Sequence, residues 1–271
     1  VTAVDTLAVR TIVGRDLRAV RRSKAIVLPM ILVPAVLLLA LPFGIGLIAR
    51  SVPTDQVGNA LSSPLVSGLA DPILSLPEKE QLIVLVLGYL LPPLLLVIPL
   101  MVSAVLAADT FAGEKERRTL EVVLHLPISD RDLFVAKVLS AFIPAVIITW
   151  IGAVVFAIVG NAVAWPVMGR IFLPYSQFFL MVVWVGPAVA LLSLGLLVVV
   201  SSRAKTTQEA NQLGGAVILP LIFLAAAQAS AMLLLPPLGV IGVGTVLWVL
   251  AGALLWLNSR RFTRDRLASR S

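Results

Sequence analysis

Cysteine is missing from all 271 residues, which excludes disulfides, thiolate metal sites and cysteine nucleophiles. Histidine occurs once, at His125, and one imidazole cannot build a histidine-rich metal centre. Charge is scarce as well: Asp, Glu, Lys and Arg make up 13% of the chain, against about 25% in an ordinary soluble domain. That supply cannot coat a water-facing globule of this size. The aromatics, 6% of residues, are not interleaved with basic side chains in the manner that holds single strands, so no nucleic-acid partner is expected. A phosphate loop of the form G-x-x-x-x-G-K-S/T is also lacking, so the chain cannot hydrolyse ATP by that route.

What fills the chain instead is hydrocarbon. Apolar residues reach 59% and the mean hydropathy is +1.05. A helix needs about 20 apolar residues to cross a bilayer, and six runs qualify: Ala25–Ala49, Leu82–Ala108, Phe134–Gly160, Phe178–Ser201, Leu213–Leu235 and Leu238–Leu257. The expectation is an all-α polytopic membrane protein, one transmembrane domain over residues 1–271 with six spans. No cleavable leader is expected, because the first long apolar run lies well in and has the length of a span. Prolines recur inside the runs (Pro34, Pro92, Pro93, Pro99, Pro144, Pro187, Pro220). Each removes a helix hydrogen bond, and in lipid the freed carbonyl must find another partner. A kink is expected above all in the second run, where Pro92, Pro93 and Pro99 fall together.

The net charge of +7 is explained by where the basic residues sit. Of the 21 Lys and Arg, 18 fall in the two tails and in the loops after the second and fourth runs; only Arg50, Lys79 and Arg170 fall on the other side. The positive-inside rule then places both termini in the cytoplasm, in a cell membrane. Residues from about 4 to 22 read as an amphipathic elbow helix: Arg10, Arg15, Arg18, Arg21 and Arg22 share an arc of roughly 140°. Val9, Ile12, Val13, Leu17 and Val20 lie opposite, with Asp16 interrupting them. Such a helix is expected to lie in the interface among anionic headgroups; a plain basic stop signal is the alternative. On the outward side Arg50–Gln81 is a Ser/Pro/Gly-bearing loop, Asn161–Gln177 a second loop carrying Trp165 and Tyr175, and Pro236-Pro237 a short turn.

The inward loop after the second run carries the densest pattern. Charges alternate from Glu114 to Arg118, then Leu120, Val123 and Leu124 give an apolar stripe. This describes a short amphipathic helix at the membrane surface, although a solvated charged face would look similar. After Pro127, Ser129 can cap the next helix with Asp132 as its capping-box partner.

The run Phe111-Ala112-Gly113-Glu114-Lys115-Glu116-Arg117-Arg118-Thr119-Leu120-Glu121, followed by Leu126-Pro127-Ile128-Ser129, resembles the signature loop of ABC-2 type permeases, the membrane subunits of ATP-driven transporters. Ser201–Ala210 and Phe262–Leu267 are similar to the loop and tail of the sodium-export-like branch of that family. The resemblance implies an elbow helix, six spans, a homodimer or a paired second permease, and a separate ABC ATPase subunit docking on the inward loops. Glu114, Lys115, Glu116, Arg117, Thr119 and Glu121 would form the ATPase-coupling helix, and Arg203, Lys205 and Glu209 a secondary cytoplasmic contact. The chain itself would be non-catalytic and hold no cofactor, with ATP and Mg on the partner.

Within the spans no ionisable side chain lies near a centre, so an ion relay is not indicated. Lys137 sits at a cytoplasmic edge and can snorkel, in a structural role. Gln228 is the most conspicuous deep polar residue, an interhelical hydrogen bond or a weak substrate contact. Ser103, Thr149, Ser193, Ser230 and Thr245 can bond within their own helices, His125 reads as structural, and Gly186 with Ala190 or Gly239 with Gly242 permit close packing. A path lined by Leu, Val and Ala suits export of an amphiphile (lipid, drug or peptide). Sodium export is the alternative, through backbone carbonyls exposed at proline breaks; an ATP-independent secondary transporter is the weaker one. An intramembrane enzyme would need a catalytic pair that the spans lack.

Overall fold

In hydrocarbon every backbone amide must be satisfied within the protein, so long apolar runs fold as helices. A computed structural model of the chain describes residues 5–52, 73–113, 128–201, 208, 212 and 234–261. Among these residues it is nearly all helical, without a strand. Five helices are long and apolar enough to cross a bilayer: Ile26–Ser51 (span one), Glu78–Thr110 (span two), Asp130–Met168 (span three), Ser176–Val199 (span four) and Pro237–Arg260 (span six). The expected span five, Leu213–Leu235, lies outside the described residues.

The bounds differ from the expected ones for local reasons. Span two starts at Glu78 rather than Leu82, with Pro77 at its N-cap and Glu78 and Glu80 in the first turn, where acids favour the positive end of the helix dipole. Span three has 39 residues, about 58 Å at 1.5 Å per residue, and runs well beyond the expected Phe134–Gly160. It begins as the capping residues predict: Ser129 Oγ accepts from the Asp132 backbone N–H at 3.1 Å and lies 2.7 Å from Asp132 Oδ2. It ends at Gly169, whose φ of 57° lets its N–H return to Trp165 O at 2.9 Å. The stretch expected to be loop from Asn161 is therefore helical to Met168, and Trp165 sits on the last turn.

Spans two and four form the centre, each with 67% of its apolar window buried, against 28%, 33% and 17% for spans one, three and six. Leu87, Leu95, Ile98 and Leu106 of span two meet Phe156 of span three and Leu194 and Leu197 of span four in one continuous core. Leu28 and Ile31, Ile151 and Ile158, and Val246 and Val249 stay exposed, as expected where hydrocarbon is the solvent.

The proline-rich span two breaks as expected. A π-helical stretch, Val84–Leu90, gives way to a 3-10 turn, Pro92–Leu96, before α-helix resumes at Val97–Ala107. Pro34 precedes a π turn (Val36–Ala40) and Pro187 follows one (Met181–Val185). Pro144, by contrast, sits inside continuous α-helix.

Of the expected small residues, Gly186 faces Thr149 of span three, 3.5 Å from where its Cβ would be, and Ala190 is fully buried; two further glycines pack more closely. A Cβ on Gly244 would lie 2.3 Å from Trp184 Cδ1, and one on Gly195 would lie 2.8 Å from Leu254 Cδ2. These two glycines seat span six against span four. Gly242 has nothing within 4 Å of such a Cβ among the described residues, and Gly239 meets only Leu235 beside it in sequence. Polar bonds reinforce the seam: Trp184 Nε1 donates to Ile241 O at 3.3 Å, Trp248 Nε1 to Trp184 O at 3.1 Å, and Asn258 Nδ2 to Gly195 O at 2.7 Å. Thr149, Ser193 and Thr245 bond their own helices as expected, but Ser103 Oγ reaches across to Ala190 O of span four at 3.3 Å.

Candidate functional site

Among the described residues, the elbow helix packs on the start of span three. The elbow helix runs from Thr6 to Arg22, opened by Asp5, whose carboxylate accepts from the N–H groups of Leu7 and Ala8 at 3.1 Å. Its apolar stripe is the expected one, but it faces protein. Val9, Ile12 and Val13 are buried against Leu133 and Ala136 of span three, with Leu17, Ile128, Leu139 and Ile143 packed around them. The helix therefore lays its apolar side on span three. Arg10, Arg15, Arg18, Arg21 and Arg22 remain exposed on the other side.

Asp16, the apparent interruption of the apolar stripe, is the partner of Lys137. Lys137 Nζ donates to Asp16 Oδ2 at 3.1 Å, and Ser140 Oγ lies 3.3 Å from the same oxygen. Arg15 engages the other oxygen, with Nε and Nη2 both 3.0 Å from Asp16 Oδ1. Lys137 is only 3% exposed, so it does not snorkel to water as expected. An ammonium this deep is tolerable only with a counter-charge and further hydrogen bonds. Its role is structural, as the sequence suggested, but it acts through an ion pair between two helices. The pair sits two turns into span three, whose first residue follows directly on the inward loop.

That loop's own residues, Glu114, Lys115, Glu116, Arg117, Thr119, Glu121 and His125, lie outside the described residues, as do Arg203, Lys205, Glu209, Gln228 and Ser230. The structure describes what flanks the loop: helix up to Gly113 on one side and the capped start at Ser129 on the other.

The opposite end of span three is fastened differently. Asn161 of span three holds the returning loop: its Nδ2 donates to Leu173 O at 2.7 Å and to Ala157 O at 2.8 Å, and its Oδ1 accepts from Phe172 N at 3.0 Å and Leu173 N at 3.2 Å. Arg170 pairs with Glu80 at the start of span two. Tyr175 Oη donates to Gly88 O at 2.6 Å, and its ring stacks on Tyr89 with centroids 6.0 Å apart. Burial, with Tyr89 beside it, raises the Tyr175 phenol far above its usual range, so it stays a donor at any physiological pH. Replacing Asn161 by Ala removes every one of the loop's bonds to that side chain. Protease should then cut within 169–175 at a markedly higher rate, while the helix content by circular dichroism stays the same.

A sequence signal for the Asp16–Lys137 pair existed in retrospect. Each residue is a charge at odds with its own apolar face, and the two signs are complementary. Only their spatial meeting was missing, since they stand far apart in sequence.

The model of a family described as ABC-2 family transporter protein matches residues 10–240, from within the elbow helix to the first turn of span six. No curated protein and no solved structure matches the chain. With most of its length matched, the chain belongs to the ABC-2 transporter family and is a multi-pass membrane protein.

Proposed function

We propose that the chain is the membrane-spanning subunit of an ATP-driven exporter, paired with a second permease and powered by a separate ATPase. In this reading it lies in the cytoplasmic membrane with both termini inside. The carrying observation is membership of a transporter family by a chain without a phosphate loop. An ATP-driven permease of this kind would draw on a hydrolytic site outside these 271 residues, in our reading on a partner subunit that binds ATP and Mg. The docking element is the loop containing Glu114, Lys115, Glu116, Arg117, Thr119 and Glu121, with Arg203, Lys205 and Glu209 as a second contact. Mixed charges of this kind set register against a complementary groove more than they add affinity.

The substrate we favour is an amphiphile. The central spans meet through Leu, Ile, Phe and Ala side chains, and no ionisable residue lies near any span centre. Sodium is the second reading. Against it stands one contact: the Gly88 carbonyl beside the Pro92-Pro93 break, a natural oxygen ligand for a cation, is already taken by Tyr175.

Co-purification with an ATPase that carries a phosphate loop is the first expected result. In that complex, amphiphiles and not sodium should stimulate hydrolysis. Charge reversal, Glu114→Lys with Glu116→Lys, should lower substrate-stimulated ATPase activity at least about tenfold, the scale of a 1.4 kcal/mol change at a charged interface. Full stimulation in that variant would rule out the loop as the docking element.

A further inference from the structure

We propose that the Asp16–Lys137 ion pair is a transmission joint, making the elbow helix and the first turns of span three move as one body. The proposal rests on the reading that an ATPase acts through residues 114–121, and its test separates the two.

Three observations carry it. First, the pair lies beside an apolar contact: Val9, Ile12 and Val13 against Leu133 and Ala136. Apolar faces alone tolerate sliding and rotation, whereas a buried ion pair admits one register. Lys137 is 3% exposed, and the carboxylate receives it on Oδ2 while Arg15 holds Oδ1. Asp16 is thus oriented from both sides. Ser140 contributes little by itself, because its hydroxyl is closer to Ala136 O (2.8 Å) than to Asp16 (3.3 Å) and has one proton to give.

Second, the joint lies at the right place in the chain. Span three starts at Asp130, just beyond the inward loop, and its amino end is locked by Ser129 and Asp132. Displacement of the loop therefore displaces Lys137.

Third, the elbow helix has somewhere to send the motion. Arg22 is followed by Ser23, whose N–H bonds back to Val20 O at 3.0 Å and whose carbonyl accepts from Ile26 and Val27 at 3.1 and 2.9 Å. This is a tight corner without slack, leading straight into span one. Span one in turn packs on span three further out, where Leu38 fills the space beside Gly152. A push on span three reaches span one by two routes, and the ion pair makes the inner one.

The cysteine-free chain allows a direct test. Ala136 is fully buried under the elbow helix, so Ala136→Cys in everted vesicles reports release of that helix through its rate of labelling by a membrane-impermeant maleimide. Asp16→Asn should raise that rate about tenfold or more, since it removes the carboxylate charge 3.1 Å from the buried ammonium and weakens the pair that holds the two helices in register. The exchange Asp16→Lys with Lys137→Asp should bring it back towards the native rate. Ser51→Cys, exposed at the far end of span one, reports transmission: in the complex with the ATPase, ATP should change its labelling from the outer side. That response should vanish in Asp16→Asn while the ATPase still co-purifies and hydrolyses ATP. If the single variant fails to accumulate, Asp16→Asn with Lys137→Met removes both charges, strands neither, and should label as fast.

Native labelling of Ala136→Cys in Asp16→Asn, or in the double variant without either charge, overturns the joint, as does an exchange that restores nothing. An ATP response at Ser51→Cys that is absent from the native complex, or that survives in Asp16→Asn, overturns the transmission. Failure to find any bound ATPase instead removes the functional reading, while the Ala136→Cys measurement still decides whether the joint exists.

Discussion

Replacing Tyr175 by Phe is expected to destabilise the protein by about 1–3 kcal/mol, the cost of a buried carbonyl left without a donor. The loss should be largely recovered by adding Pro92→Ala. The carbonyl in question is that of Gly88. In an α-helix its donor is the N–H of residue 92, and in a π-helix that of residue 93; both are proline and carry none. Leu91 bonds instead to Val86 O at 2.9 Å, and the Tyr175 hydroxyl supplies the missing donor at 2.6 Å. Alanine at 92 restores an N–H at the helical spacing, so the tyrosine is no longer needed. Thermal unfolding in detergent of the two single variants and the double checks this. If Pro92→Ala leaves the Tyr175→Phe loss intact, the hydroxyl has some other role than satisfying that carbonyl.

Gly244→Ala should be comparably damaging, about 1–3 kcal/mol from overpacking, while Gly242→Ala two residues away should change stability by no more than about 0.5 kcal/mol. The contrast is spatial. The added methyl at 244 would stand 2.3 Å from Trp184 Cδ1, and the ring cannot step aside. Its Nε1 is bonded to Ile241 O at 3.3 Å and its face meets Trp248 with centroids 5.8 Å apart. At 242 the methyl meets nothing within 4 Å among the described residues. Trp184→Leu in combination with Gly244→Ala should cost less than the two changes summed, because the smaller side chain vacates the space. Strict additivity in that cycle would mean that the clash is relieved elsewhere.

How far the fold was legible follows from what each signal measures. Hydropathy located the apolar runs, because span length is set by bilayer thickness and needs no tertiary information. It could not see that span three continues to Met168, since Asn161 looks like a loop residue until its amide is found holding the loop that returns beneath it. Proline chemistry foretold the break in span two, yet the donor that completes it comes from Tyr175, more than 80 residues on. Spacing of small residues did not single out Gly244 of span six or Gly195 of span four, which among the described residues face the neighbouring helix. Helical phase relative to a partner is a tertiary fact. The elbow helix shows the same limit. Its amphipathic pattern was plain, but a pattern states that one side avoids water, not whether lipid or protein receives it. For the inward loop, legibility rests on its charge pattern and family likeness alone, since Glu114–Glu121 lie outside the described residues.

The length of span three has a mechanical meaning. At about 58 Å it is nearly twice the roughly 30 Å hydrocarbon thickness, and it stays α-helical through Pro144 without a change of winding. A rod of this kind acts as a lever with its fulcrum in the bilayer. Rocking by about 10° about its midpoint would swing each tip about 5 Å, close to the pitch of one helical turn. The amino-terminal third carries Lys137, and the carboxy-terminal third carries Asn161 with the loop that ends at Tyr175. A small stroke at the amino-terminal tip would therefore arrive at the opposite surface as an equal and opposite one, at the point where Tyr175 meets the broken backbone of span two.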